Sequence, residues 1–137
     1  MRTDTRLPRV LHILLHLDEI EDPVTSERMG EMFGMDASLV RRMMGGLRKH
    51  GLVASIKGHG GGWYLQRPTS EISLMDVYIA LGSPNVFAIG APEPSSSCLL
   101  EHAAADATRA AMDAAKRLFE QELRAVSVSD LAERVAN

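Results

Sequence analysis

Cysteine is almost missing from this chain of 137 residues: Cys98 stands alone. A single thiol closes no disulfide within the chain, so nothing points to an oxidising compartment. Aromatic residues make up only 4%, which leaves the core to aliphatic side chains and eight methionines. No apolar run approaches the roughly 20 residues that cross a bilayer. The opening MRTDTRLPRV lacks the continuous apolar stretch of a signal peptide. These absences lead us to expect a cytoplasmic protein with no membrane partner. What is present, 45% hydrophobic and 24% charged residues, suits a globular fold: one compact domain, or a small domain with an appendage.

Carboxylates are missing from one region in particular. Between Ala37 and Arg67 there is no Asp or Glu, while Arg41, Arg42, Arg48, Lys49, Lys57 and Arg67 supply six positive charges. From Pro68 onward, ten acidic residues outnumber five basic ones. The net charge of −3 therefore conceals a basic segment on an acidic chain. Such segregation is the footprint of a polyanion-binding surface. The plainer alternative is a solvated face with clustered charge.

Leu7, Val10, Leu11, Leu14 and Leu17 recur at helical spacing, and Ile13, Leu17 and Ile20 form a second stripe. This first helix is expected to pack between two layers and to end before Pro23. Thr25 reads as the N-cap of a short helix over Ser26–Phe33, stopped by Gly34. Asp36 reads as the next N-cap. Val40, Met43, Met44 and Leu47 form the buried stripe of that third helix, leaving Ser38, Arg41, Arg42, Gly45, Arg48 and Lys49 outside. Two short helices about a tight turn, the second displaying arginines, outline a helix-turn-helix. LVASI and WYLQ, flanking the glycine-rich Lys57–Gly62, read as a hairpin. Ser73 with Asp76 opens a further short helix in a capping-box pattern. Gly82–Ser97 reads as an irregular loop. The longest helical pattern runs from about Cys98 to Val126, with Leu100, Ala103, Ala107, Ala111, Ala114 and Leu118 on one face. Met112, Phe119, Leu123 and Val126 form a neighbouring stripe. Ser127 and Asp130 repeat the cap before a last helix ending near Val135.

The fold class expected is thus mainly α: a winged helix-turn-helix with a small β-hairpin wing and a long C-terminal helix. An arginine in the major groove can bond both acceptors of one guanine. Early residues of a recognition helix usually read the bases. Ser38, Arg41 and Arg42 are therefore candidate base contacts, with Arg48 and Lys49 candidate phosphate contacts. Ser26, at the start of the preceding helix, joins the candidate DNA-binding set. At the wing tip, Lys57, Gly58 and His59 are candidates for following a phosphate or entering the minor groove. Ion pairing of the arginines with Glu27 and Glu31 is the structural alternative. Gly45 and Gly46 cost about 1 kcal/mol each inside a helix, which points to close approach of another helix or of DNA. A nucleotide-binding reading of the glycine loop fails, because a strand follows it rather than a helix.

The run VRRMMGGLRKHGLVASIKGHGGGWYLQRP, followed by EISLMDVYIAL, resembles the Rrf2 family of bacterial transcriptional regulators. The family's recognition-helix end matches at Leu47–Val53, its wing at Lys57–Trp63 and its following helix start at Ile72–Val77. PVTSERMGEMFGM matches the preceding helix. The resemblance covers nearly the whole chain and is strongest from Leu7 to Leu81. It implies a homodimer whose long helices cross and whose heads bind a palindromic operator in double-stranded DNA. The small residues of the long helix fit such crossing; packing on its own domain is the alternative. The expected organisation is a DNA-binding domain at 1–82, a loop at 83–97, and a dimerisation helix with a short C-terminal helix at 98–137.

Cluster-binding members of the family carry three cysteines in the loop before the long helix. Only Cys98 stands here, at the position of the last. His102 lies four residues on, where some members place a ligand histidine three residues on. A [2Fe–2S] centre normally needs four ligands, so no cluster and no other cofactor is expected. Cys98, beside a helix start, is instead a candidate redox sensor, with an inert, partly buried thiol as the alternative. His12 and His16 lie one turn apart and make at most half a metal site, so no metal site is expected. No nucleophile stands with a matching base, and an enzyme is not expected. The function read from the sequence is a sequence-specific DNA-binding regulator, a homodimeric repressor released by an oxidant or a small molecule. The competing class is a winged-helix protein-interaction module.

Overall fold

A computed structural model describes residues 3–93, 95 and 97–136 of the chain. The first apolar stripe winds into α1 (Arg6–Glu19), burying Val10, Leu11, Ile13, Leu14 and Leu17. The helix ends at Ile20, whose extended backbone leads to Pro23. The Thr25 hydroxyl then accepts the Arg28 amide at 3.1 Å and starts α2 (Ser26–Phe33). Gly34 closes that helix in the left-handed conformation, φ 64°. Two residues later, the Asp36 carboxylate accepts the Ser38 amide at 2.8 Å and starts α3 (Ala37–Lys49). The four residues expected on the inner face of α3, Val40, Met43, Met44 and Leu47, are all buried. Each such side chain removed from water contributes on the order of 1.5–3 kcal/mol.

After α3 the chain forms a two-stranded antiparallel hairpin, β1 (Val53–Ile56) and β2 (Gly62–Leu65), with Val53 opposite Leu65 and Ile56 opposite Gly62. Alternation along β2 turns Trp63 inward and Tyr64 outward. Val24, between α1 and α2, pairs with Trp63 through two backbone hydrogen bonds of 2.8 and 2.9 Å. The wing is therefore stitched to the segment that precedes the helix-turn-helix. A single 3₁₀ turn at Thr69–Glu71, which the sequence pattern did not announce, leads into α4 (Leu74–Ala80). Ser73 and Asp76 cap α4 reciprocally, as expected. Ser127 and Asp130 do the same at the start of α6 (Val128–Ala136). Between them lies α5 (Leu99–Arg124), 26 residues long and therefore about 39 Å from end to end.

The chain divides into two compact units, residues up to Pro84 together with those from Arg124 onward, and Asn85–Leu123. In the first unit, α1 packs against α4, α6, β2 and the 3₁₀ turn. The grouping of the last helix does not hold: α6 belongs with the first unit rather than with the long helix. The reason is a short backbone ladder in which the Leu74 amide donates to Val126 and the Val128 amide to Ile72, with Ser73 opposite Ser127. Val128 is consequently fully buried.

In the second unit, all six residues of the expected small-residue stripe on α5 are exposed. Leu100 keeps 82% of its surface and Leu118 keeps 60%. Within this unit the described residues leave the stripe uncovered. The neighbouring stripe differs, for Met112 and Phe119 are half-buried and Leu123 is buried.

Candidate nucleic-acid interface

The six cations of the acid-free segment are not equally available. Arg41 Nη1 donates to Glu27 Oε1 at 2.8 Å, both side chains remaining more than half exposed. Arg67 pairs with Asp76 at 3.6 Å. Arg48 donates to the Ser55 hydroxyl at 3.3 Å and lies 5.7 Å from the centre of the Trp63 ring, within cation–π range. Arg42, Lys49 and Lys57 have no carboxylate within ion-pair distance among the described residues. All three are exposed. The second ion pair considered for the arginines does not form with α3, since Glu31 turns to Arg28 at 3.8 Å on its own helix.

Ser38 is exposed, and its hydroxyl donates to the Asp36 carboxylate at 2.8 Å. The two hydrogen bonds from Ser38, backbone first, hold the Asp36 carboxyl below its usual range, with Arg41 and Arg42 nearby acting in the same direction. Glu27 is likewise lowered, by its own backbone amide and then by Arg41. Both carboxylates stay ionised at neutral pH and fix the first turns of α2 and α3.

Ser26 must be removed from the candidate set. It is buried, and its hydroxyl accepts the Trp63 indole N–H at 2.9 Å. An indole left without that partner would lose a buried hydrogen bond, so Ser26 serves the docking of the wing rather than a surface. The structure thus gives Trp63 a positioning role the sequence reading missed. Its inward place in the period-two alternation of WYLQ was the available signal. Lys57, Gly58 and His59 sit exposed together at the hairpin tip, where Gly58 adopts φ 92°, a conformation natural only to glycine.

The paired glycines of α3 separate. A Cβ on Gly46 would fall 2.7 Å from the Ala80 carbonyl oxygen, so this glycine admits α4. A Cβ on Gly45 would meet nothing within 4 Å. Gly45 lies on the face that carries Arg41, Arg42 and Arg48.

Cys98 is exposed just before α5, and its carbonyl accepts the His102 amide at 3.2 Å. His12 and His16 face each other through their Nε2 atoms at 3.1 Å and pack edgewise around Phe33. Among the described residues no helix is long and apolar enough to cross a membrane.

With this geometry established, comparison with known proteins is informative. Residues 3–134 match the family model Rrf2, described as an iron-dependent transcriptional regulator. The HTH-type transcriptional regulator IscR of Serratia proteamaculans is 38% identical over 72 residues, covering 53% of this chain and 43% of that protein. Its counterpart in Photorhabdus laumondii is 36% identical over the same shares. The chain thus aligns with less than half the length of these curated relatives. The solved structure of T. potens IscR has a TM-score of 0.69 at 20% identity, covering 98% of this chain and 88% of that one, which extends the likeness in fold to nearly every residue.

The family description names iron. Cys98 is the one cysteine, and no group of three or more His, Cys, Asp or Glu side chains among the described residues could hold a metal ion. Family membership rests instead on the matched residues, the shared fold and the placement of the winged helix-turn-helix. The chain belongs to the Rrf2 family of transcriptional regulators, which are not enzymes.

Proposed function

We propose that this chain acts as a homodimer that reads a palindromic operator in double-stranded DNA and represses transcription until a signal releases it. The observation that carries the reading is the surface of α3 and the wing tip. There Arg42, Lys49 and Lys57 stand exposed with no carboxylate partner among the described residues, and Arg41 is held by one exposed pair. In this reading α3 enters the major groove, Ser38, Arg41 and Arg42 meet base edges, and Arg48, Lys49 and the wing follow phosphates. The names of the relatives, HTH-type transcriptional regulators, support it. The exposed Leu100–Leu118 stripe of α5 supports the pairing of two copies, because contiguous apolar surface of this kind marks an interaction site. Exposure of Cys98 supports an oxidant as one class of signal.

Selection of binding sites from random duplex DNA, with and without mild oxidant, tests the proposal. Recovery of two inverted half-sites spaced by about one helical turn or a little more supports the dimeric reader. Loss of binding on oxidation that Cys98→Ser prevents makes Cys98 the sensor. An oxidant-independent palindrome rejects Cys98 and leaves a ligand as the signal. Failure to enrich any sequence overturns the DNA reading in favour of a protein-interaction module.

A further inference from the structure

A cleft of about 510 Å³ opens in the first unit between α3 and the end of α4, with Arg42 of the proposed base-reading set on its rim. Its apolar lining includes Leu39, Met43 and Leu81, of which Met43 and Leu81 are buried. Arg42, Lys49 and His50 contribute the polar groups. Gly46 lies at the junction, where the lack of a side chain lets the two helices meet. No Asp or Glu lines the cleft. Arg6 also reaches it, but Asp4 holds the Arg6 guanidinium at 2.8 Å. The His50 ring is fixed by a 3.0 Å hydrogen bond from Nδ1 to the Gly46 carbonyl, which leaves Nε2 as its remaining polar atom.

Two features narrow the occupant. The rim carries two cations without carboxylate partners among the described residues, which demands an anion. The apolar lining gains nothing from a bare inorganic ion and favours a hydrocarbon body. The volume lies in the usual range for small-molecule sites, about 300–1,000 Å³. We propose that this cleft binds an amphipathic organic anion, a carboxylate on an aliphatic body, and that the bound anion competes with DNA for Arg42 and Lys49. The regulatory half rests on the DNA reading above; the binding half does not. The anion draws the two side chains onto its carboxylate, and the base contact of Arg42 and the phosphate contact of Lys49 are lost. Because both ligands need the same groups, each weakens the other reciprocally.

The test uses the full chain, with octanoate as probe and 1-octanol and acetate as controls for charge and for chain. Calorimetric titration is expected to give one octanoate per chain, with binding at least tenfold weaker for 1-octanol and for acetate. His50→Glu places a carboxylate on the rim and should weaken octanoate at least fivefold while circular dichroism stays unchanged. Equal binding of 1-octanol or acetate, or indifference to His50→Glu in a folded protein, overturns the site. If His50→Glu does not fold, chemical-shift changes on octanoate addition to the unaltered chain decide: confinement to the Leu39–His50 and Ala80–Gly82 segments supports the site, and changes elsewhere overturn it. At octanoate ten times its own Kd, the Kd for the selected duplex should rise about tenfold. An unchanged duplex Kd overturns the competition. If no duplex is bound at all, the DNA reading fails while the titration still decides the cleft.

Discussion

In the proposed DNA reading, Arg41 leaves Glu27 to touch a base. The pair is exposed on both sides, and such pairs are worth about 0.2–1 kcal/mol. A bidentate contact to guanine discriminates by about 1–3 kcal/mol. A base contact of that kind would outweigh the pair. Arg41→Ala is expected to reduce discrimination between operator and random duplex by about 1–3 kcal/mol. Glu27→Gln releases the arginine and should tighten operator binding slightly. Competition binding with both duplexes checks the two together: equal weakening of both by Arg41→Ala would make it a phosphate contact. The glycine pair gives a second prediction at this scale. Gly46→Ala forces a Cβ against the Ala80 carbonyl and should lower unfolding free energy by about 1–3 kcal/mol. Gly45→Ala meets open space and should raise it by up to about 1 kcal/mol. Urea unfolding of the two variants, which should move in opposite directions, is the measurement. Residues whose partners are local were legible in the sequence: Thr25, Asp36, Ser73 and Ser127 cap within three positions. Ser26 was not, because its partner Trp63 lies 37 residues away and no local pattern announces that bond.

The helices and the hairpin followed from periodicity, since the spacing of buried residues is set by each element alone. What periodicity does not carry is which element covers which. The Ser127 and Asp130 capping pattern predicted the last helix, but its membership of the first unit depends on backbone pairing between Ser73 and Ser127. Backbone hydrogen bonds of this kind are indifferent to side-chain identity. The wing shows the same division. Its strands were readable, while its attachment to Val24 was not. That attachment limits the freedom of β2 at Trp63, so the exposed Lys57 tip is carried on an anchored base. Lys57→Ala should then remove one phosphate contact without disturbing the hairpin. We expect the slope of log K against log salt to flatten by about 0.9. A salt titration of duplex binding that leaves the slope unchanged would take Lys57 off the DNA.

For the whole molecule, the open question at sequence level was where the small-residue face of α5 packs. Within its own unit that face stays exposed among the described residues, and in the proposed dimer a second copy covers it. Leu118→Glu changes a residue already 60% exposed, and exposed substitutions usually alter stability by no more than about 0.5 kcal/mol. A large effect can therefore come only from association. Sedimentation velocity should show a dimer for the unaltered chain and a monomer for Leu118→Glu at the same concentration, with unchanged helicity. A dimer that survives the substitution would place the interface elsewhere.

The ladder joining Ser73 to Ser127 has a further consequence during synthesis. The first unit is assembled from two pieces of chain separated by the whole of Asn85–Leu123. A ribosome that has delivered every residue of the helix-turn-helix and its wing has still not delivered Val128, which fills the unit's core. Closing over so long an intervening segment adds entropy only logarithmically, about 0.6 kcal/mol per doubling of length, so the delay is one of timing more than of stability. Until the last helix emerges, the nascent head remains unclosed beside Ile72, and its hydrophobic interior is open to chaperones and proteases.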